Sequence, residues 1–317
     1  MRHGLNSNFL SDAMASVESV KAGKYRGGTL AVRLQDYVEL TKPRITIMML
    51  IAVSVAAYAA EWRWPDLSLL LNTLIGTALV ACSASASNQW LERFSDRLMV
   101  RTSNRPLPSG RMSSREVLSF AAVSLVSGVA CLTVFASLDA AAWAVGTWAV
   151  YVVLYTPLKR RSEVNTAIGA ISGAMPLCIG WTAVGGPYDL RLAALFLTMF
   201  LWQFPHFMAI AWLYRHQYAQ AGLRMMTVVE PTGRRAGVQA VMAAAALLPV
   251  SLIPAISGPA PGAAWYAALV LLLGVAQLAC AVIFFAQRTE GSARLLLRAS
   301  LVYLPALLGL LLIIPLA

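Results

Sequence analysis

The 317 residues are 59% hydrophobic and only 12% charged, with a formal net charge of +11. Soluble domains carry about 25% charged residues, so this deficit excludes an ordinary water-soluble enzyme and points to a membrane protein. A nucleic-acid partner would need the positive excess gathered on one surface, and its spread along the chain argues against one.

Residues 1–42 lack an apolar core followed by a small-residue cleavage site, so no cleaved secretory signal is expected. Asp12 and Glu18 also count against a mitochondrial transit peptide. "TLAVRLQDYVELTKPR", residues 29–44, sets Leu30, Val32, Leu34, Val38 and Leu40 among polar residues. This pattern predicts an amphipathic helix lying on the inner membrane surface and leading into the first span. The expected division is a cytoplasmic N-terminal segment, 1–42, and a membrane domain, 43–317.

Apolar runs of roughly 20 residues, enough to cross a bilayer, recur from residue 45 onward. They predict spans at 45–61, 67–89, 117–137, 140–158, 164–184, 191–213, 236–257, 263–286 and 295–316. The expected fold is therefore all-α, a polytopic bundle of nine transmembrane helices around a central cavity. Lys and Arg number seven before the first span, six in 90–116, three in 159–163, four in 214–235 and three in 287–298. The alternate loops hold only Arg63 and Arg191. Positive residues stay on the cytoplasmic side, which predicts an inside N-terminus, an outside C-terminus and a cavity opening to the cytoplasm. A bacterial inner membrane fits this pattern better than a mitochondrial one. Cys82, Cys131, Cys178 and Cys280 lie far apart inside apolar runs, forming neither a CxxC pair nor a disulfide framework.

The segment "NQWLERFSDRLMVRTSNRPLPSG", residues 88–110, spends two of the chain's 14 acids at the end of the second span. On a helix Asn88, Glu92 and Asp96 share one face. The preceding small-residue run "ACSASAS" lets neighbouring helices approach closely. A carboxamide and two carboxylates at that spacing suit Mg²⁺, which shares its shell with substrate phosphates. Arginine is phosphate's planar partner, so metal and arginines together suggest a diphosphate ligand. A plainer alternative stays open here: a solvated collar pairing the acids with Arg93, Arg97 or Arg101. The prolines and glycine of "RTSNRPLPSG" predict a structured turn.

A second polar stretch, "WQFPHFMAIAWLYRHQYAQAGLRMM", closes the sixth span. Pro205 is expected to kink that span. His206 is the only histidine at membrane depth, and such residues are candidates for function or for a plain interhelical hydrogen bond. Four helices separate the two decorated loops, so two four-helix halves would present them to one cavity.

Together with "YTPLKRRSEVNTAIGAISGAMPLCIGW", these stretches resemble the three signature regions of the protohaem IX farnesyltransferases, or haem O synthases, a branch of the intramembrane UbiA-type prenyltransferase superfamily. The resemblance spans nearly all of residues 35–316. It implies a nine-span helical fold and a reaction using Mg²⁺, farnesyl diphosphate and haem b. Asn88, Glu92 and Asp96 match the first acidic motif and would hold the metal. Arg101, Thr102, Arg105 and Pro106 match its arginine extension, and Tyr155, Lys159 and Arg160 the middle block, with one residue shifted between Thr156 and Lys159. Trp202, Gln203, Pro205, His206 and Phe207 match the third block. The resemblance implies Arg101, Arg105, Lys159 and Arg160 as stabilisers of the leaving diphosphate, and His206 as a candidate ligand to the haem iron. It also implies a haem A synthase as the partner that takes the product. The superfamily's second acidic motif is missing: Gln217-Tyr218 stands where an Asp-Tyr pair is usual. Gln217 is then expected to act through water or a hydrogen bond to the diphosphate. Two other readings are a quinone-type aromatic prenyltransferase of the same fold and, more distantly, a membrane transporter. A transporter should carry ionisable groups at mid-span, where this chain has almost none beyond His206.

Overall fold

The computed structural model describes residues 30–257 and 262–313, and every helix named below lies within them. Helix α1 (Leu30–Leu40) precedes the first long helix, α2 (Pro43–Glu61). Then follow α3 (Leu67–Asp96), α4 (Ser114–Phe135), α5 (Leu138–Leu158), α6 (Asn165–Ala183) and α7 (Leu190–Leu213). Two short helices, α8 (Arg215–Gln220) and α9 (Met226–Val229), fill the next loop. The chain closes with α10 (Arg234–Ser257), α11 (Ala263–Gln287) and α12 (Glu290–Ile313). Nine of the helices among the described residues are long and apolar enough to cross a membrane, in the order expected. This is an all-helical integral membrane protein.

Local chemistry sets the ends. Asp66 caps α3 by accepting from the Ser68 and Leu69 amides at 2.9 and 3.1 Å. Ser113 and Glu116 form a reciprocal capping box at α4, and Pro43 opens α2 where a missing N–H costs nothing. Neighbours in sequence pack as antiparallel pairs, α3 on α4, α10 on α11, and α7 on α10. Two longer-range contacts, α2 on α6 and α7 on α12, link helices distant in the chain. Glycine permits the closest crossings. A Cβ on Gly180 would stand 2.0 Å from the Val53 carbonyl oxygen, and one on Gly128 would stand 2.7 Å from that of Gly76. The largest core, with Trp181, Leu247, Tyr303, Leu307 and Leu311, joins α2, α6, α7, α10, α11 and α12. Large apolar side chains such as Val126, Leu272 and Val302 remain exposed on the outside, as a lipid-facing surface requires.

Several boundaries differ from the sequence expectation. Helix α3 runs on to Asp96 instead of stopping near residue 89, so the whole oxygen-bearing stripe is helical. The chain also stays helical through Pro205, because one missing backbone N–H is tolerated where packing on α6, α10 and α12 holds the turns. Helix α6 is interrupted at Met175, just before Pro176. Helix α12 begins at Glu290, and residues 314–316 of the expected last span lie outside the described residues. So does most of the N-terminal segment, including Asp12 and Glu18. Within α1, Val32, Leu34 and Val38 are exposed while Asp36 and Leu40 are buried. Arg111 ties α1 down through Asp36 and Glu39, both at 2.7 Å, and Arg33 pairs with Glu116 of α4.

Candidate active site

The last two turns of α3 carry Asn88, Glu92 and Asp96 on one face, and each engages a partner from a different segment. Lys42, at the residue before α2, donates to Asn88 Oδ1 at 2.7 Å. The Asn88 amide donates in turn to Thr156 Oγ1 of α5 at 3.0 Å. Lys159, just past α5, bonds Glu92 Oε1 at 2.7 Å, and Arg105 of the 97–113 turn bonds Asp96 Oδ2 at 2.7 Å. The adjacent basic side chains do not form the collar considered above. Arg93 lies over Trp90 and Phe94, and Arg97 donates to the Pro108 carbonyl at 3.0 Å.

Three cations therefore face two carboxylates within a nearly sealed space, with Asn88 and Asp96 each 1% exposed. Burial opposes charge on Lys159, yet Glu92 and the Tyr155 and Tyr151 rings outweigh it and hold that ammonium above its ordinary value. Lys42 lacks such a partner. Burial first, then the nearby Arg105, pushes it down to about 7. Lys159 also lies 4.4 Å from the centre of the Tyr155 ring. A π-helical stretch, Val150–Tyr155, lies one turn before the end of α5 and turns Tyr151, Tyr155 and Thr156 toward this cluster.

The two decorated loops meet above it. Arg101 Nη2 donates to the Tyr218 hydroxyl at 2.7 Å, and its guanidinium lies over the rings of Tyr214 and Tyr218. Met99, Tyr218, Leu223 and Met225 pack together beneath that contact. Gln217 Oε1 is buried with no hydrogen-bond partner. The Arg224 amide donates to the Lys159 carbonyl at 2.7 Å, which anchors the second loop beside the cluster.

Residues 49–304 match the profile of the UbiA prenyltransferase family. The chain belongs to that family. It is 42% identical over 289 residues to "Protoheme IX farnesyltransferase" of Solibacter usitatus, covering 88% of this chain and 98% of that protein. It is also 42% identical over 288 residues to the protein of the same name from Rhodopirellula baltica, covering 86% and 96%. Among solved structures, a UbiA homolog from Archaeoglobus fulgidus bound to DMAPP and Mg²⁺ superposes with a TM-score of 0.67 at 16% identity. The match covers 88% of this chain and 98% of that one. At that identity the likeness shows the shared fold.

In this UbiA-family chain the donor set around α3 fits a hard divalent cation. Glu92 and Asp96 each commit one oxygen to a cation and keep the other free. Asn88 adds an amide oxygen that Lys42 now holds. Two carboxylates and an amide leave coordination sites for water and diphosphate oxygens, the shell Mg²⁺ prefers.

The remaining candidates are placed elsewhere. Gln203 donates to the Ala170 and Met199 carbonyls and braces α7 on α6. Trp202 Nε1 donates to the Ser300 carbonyl of α12, and His206 stacks on Trp202 with Nδ1 2.9 Å from Ser300 Oγ. Arg160 is exposed, with no side-chain hydrogen bond among the described residues. Lys42, Tyr151 and Thr156 escaped the sequence reading. A lysine ahead of Pro43 signals a helix start, but its left-handed backbone (φ 51°), which aims the side chain inward, leaves no trace in the sequence.

Proposed function

We propose that this chain transfers the farnesyl group of farnesyl diphosphate to a vinyl group of haem b, giving haem O and diphosphate. The observation carrying the reaction is the cluster of Lys42, Lys159 and Arg105 around Glu92 and Asp96. The acceptor rests on the relatives' name, "Protoheme IX farnesyltransferase". No comparable support favours a quinone-type acceptor or transport.

Charge bookkeeping supports a diphosphate. With Lys42 protonated the cluster carries one net positive charge, three cations less two carboxylates. A prenyl diphosphate brings about three negative charges and one Mg²⁺ returns two, so the filled site balances near zero. Asn88, Glu92 and Asp96 would hold the ion, which supplies neutralisation of the departing diphosphate. The homolog bound to DMAPP and Mg²⁺ supports the pairing of metal and prenyl diphosphate in this fold.

The protein groups then act by position. Diphosphate oxygens take over Lys159 and Arg105 from the carboxylates, and these cations stabilise charge growing on the leaving oxygen. The C1–O bond of the farnesyl group breaks with its electron pair going to diphosphate. The vinyl π pair of haem b forms the new C–C bond, water adds hydroxide at the resulting cation, and one proton leaves. Packing of the two loops at Arg101 and Tyr218 keeps bulk water from the allylic cation.

For haem, His206 is the candidate axial ligand. The Ser300 hydroxyl donates to the Leu297 carbonyl at 2.7 Å, so it accepts from His206 and places that proton on Nδ1. Nε2 then keeps a free lone pair for iron. We place the cluster on the cytoplasmic side of a bacterial inner membrane, with the N-terminus inside and the C-terminus outside. Residues 1–42 form a cytoplasmic segment whose amphipathic helix lies at the membrane interface, and a haem A synthase is the expected recipient of the product.

The deciding experiment is haem extraction from cells that express this protein without a haem A synthase. A new, more hydrophobic haem is expected. Unchanged haem b, with the protein present in the membrane, would refute the acceptor.

A further inference from the structure

Helices α7 and α10 enclose a second feature that the reaction above does not use. A groove of about 740 Å³ runs between them, walled by Phe200 and Phe204 on one side and by Val238 and Met242 on the other. Phe200 and Phe204 lie two positions from Trp202 and His206, a rotation of about 200° around α7, so the groove is on the opposite face from the histidine. It opens sideways: Met242 is 68% exposed, on a surface that meets lipid in a membrane bundle.

The groove is charged at one end only. Arg234 and Arg235 stand at its rim, on the first turn of α10 and at the same end of the bundle as the loop carrying Gln217. From Arg234 to Ala243 the groove descends roughly 13 Å along the helix, at 1.5 Å per residue. The neighbouring acids are already committed. Glu163 pairs with Arg235 at 2.7 Å, and Glu230 accepts from the Arg235 backbone amide at 2.9 Å. The Arg234 guanidinium has no partner among the described residues, and neither has the side chain of Gln239, which lines the groove. An unpaired guanidinium above an apolar trough complements one chemistry: an anionic headgroup at the interface with a hydrocarbon tail below it.

We propose that this groove is a binding site for an anionic phospholipid, its phosphate on Arg234 and Arg235 and an acyl chain along Phe200, Phe204, Val238 and Met242. The test uses the full-length protein, stripped of lipid in detergent and titrated with phosphatidylglycerol or phosphatidylcholine, with bound lipid counted by native mass spectrometry. Wild type should retain phosphatidylglycerol in preference to phosphatidylcholine. Arg234→Gln should weaken that retention about fivefold, and Arg234→Gln/Arg235→Gln should weaken it further. Val238→Trp, which fills the trough at an exposed position, should weaken both lipids equally. Arg294→Gln, at an exposed arginine on α12 paired with Glu290, should change nothing and controls for general loss of charge. Equal retention of the two lipids by wild type, or unaltered retention by the double variant, would overturn the proposal. Displacement of phosphatidylglycerol by stoichiometric farnesyl diphosphate would overturn it too, since the groove would then belong to the prenyl donor.

Discussion

Replacing Asp96 with asparagine removes one charge from α3 while keeping its shape, and the structure assigns that change two separable costs. Asp96 is 1% exposed, while its partner Arg105 is 26% exposed. Breaking a fully buried pair costs about 3–5 kcal/mol and an exposed one about 0–1 kcal/mol. This pair falls between, at about 2 kcal/mol, because Arg105 can turn toward water. The sequence alone suggests a membrane-edge residue whose loss leaves protein levels near normal; the burial of the pair predicts instead a drop of a few degrees in Tm. The catalytic cost is larger. A lost contact to developing charge is worth on the order of 10²-fold in rate, and the remaining ligands bind Mg²⁺ more weakly. Purified Asp96→Asn is assayed by diphosphate release across a Mg²⁺ series, with Tm measured on the same preparation. The expected result is a small Tm change, a rate reduced about a hundredfold, and a half-maximal Mg²⁺ concentration shifted upward. Wild-type turnover in limiting Mg²⁺ would refute the metal-site reasoning. A lost rate with an unshifted Mg²⁺ curve would reduce Asp96 to a positioner of Arg105.

Lys42 links stability to pH. Its folded-state pKa, pushed down to about 7, lies below the ordinary 10.5, so the unfolded chain binds the extra proton between those values and stability rises with pH across that window. Lys42→Met should flatten the rise, measured as Tm against pH in detergent; an unchanged slope would remove Lys42 from the buried cluster. His206→Phe should abolish the Soret shift on haem titration while sparing Mg²⁺-dependent diphosphate binding, and a normal shift would exclude axial ligation. Gln217→Asp supplies the carboxylate the second loop lacks and should lower the Mg²⁺ concentration for half-maximal activity; an unchanged curve would place that loop outside the metal site. A reporter fused after Ala317 should read outside and one in the 90–116 loop inside, and a cytoplasmic C-terminus would contradict the positive-charge argument.

Most of the architecture was legible because lipid demands long, uninterrupted apolar helices, and runs such as 263–286 contain nothing else. Helix ends were less so. The second span outlasts its apolar stretch because other segments bury Asn88 and Asp96 and partly bury Glu92, while a hydropathy pattern counts such residues as solvent-facing. The acidic stripe itself was visible from its spacing. Its partners were not: the nearest basic residues in sequence, Arg93 and Arg97, turn away, while the ones that bind lie 9 and 67 residues from their acids. Lys42 was hidden for another reason, since only its backbone conformation brings it inward. Arg101 shows the converse. It belongs to the same motif as Arg105, yet it spends its guanidinium on Tyr214 and Tyr218, a placement that no local spacing encodes.

The pairing pattern explains how such a site survives without a ligand. Two carboxylates one turn apart on a buried helix repel each other, and removing either from water carries a cost of several kcal/mol. Each is offset by a cation from a separate segment, Lys159 from the end of α5 and Arg105 from the turn after α3. The same bonds therefore fold the turn and the α5 terminus onto α3, and Arg224 and Arg101 bring the second loop in behind them. In the proposed reaction Glu92 and Asp96 would hold the divalent ion, while Lys159 and Arg105 would turn from those carboxylates to diphosphate oxygens. Glu92, Asp96, Lys159 and Arg105 would each keep a partner at each stage, so the exchange would require no large movement of the helices. An enzyme that generates an allylic cation would gain from this arrangement, because Arg105 on Asp96 and Arg101 on Tyr218 fold the two loops over the cluster and exclude bulk water.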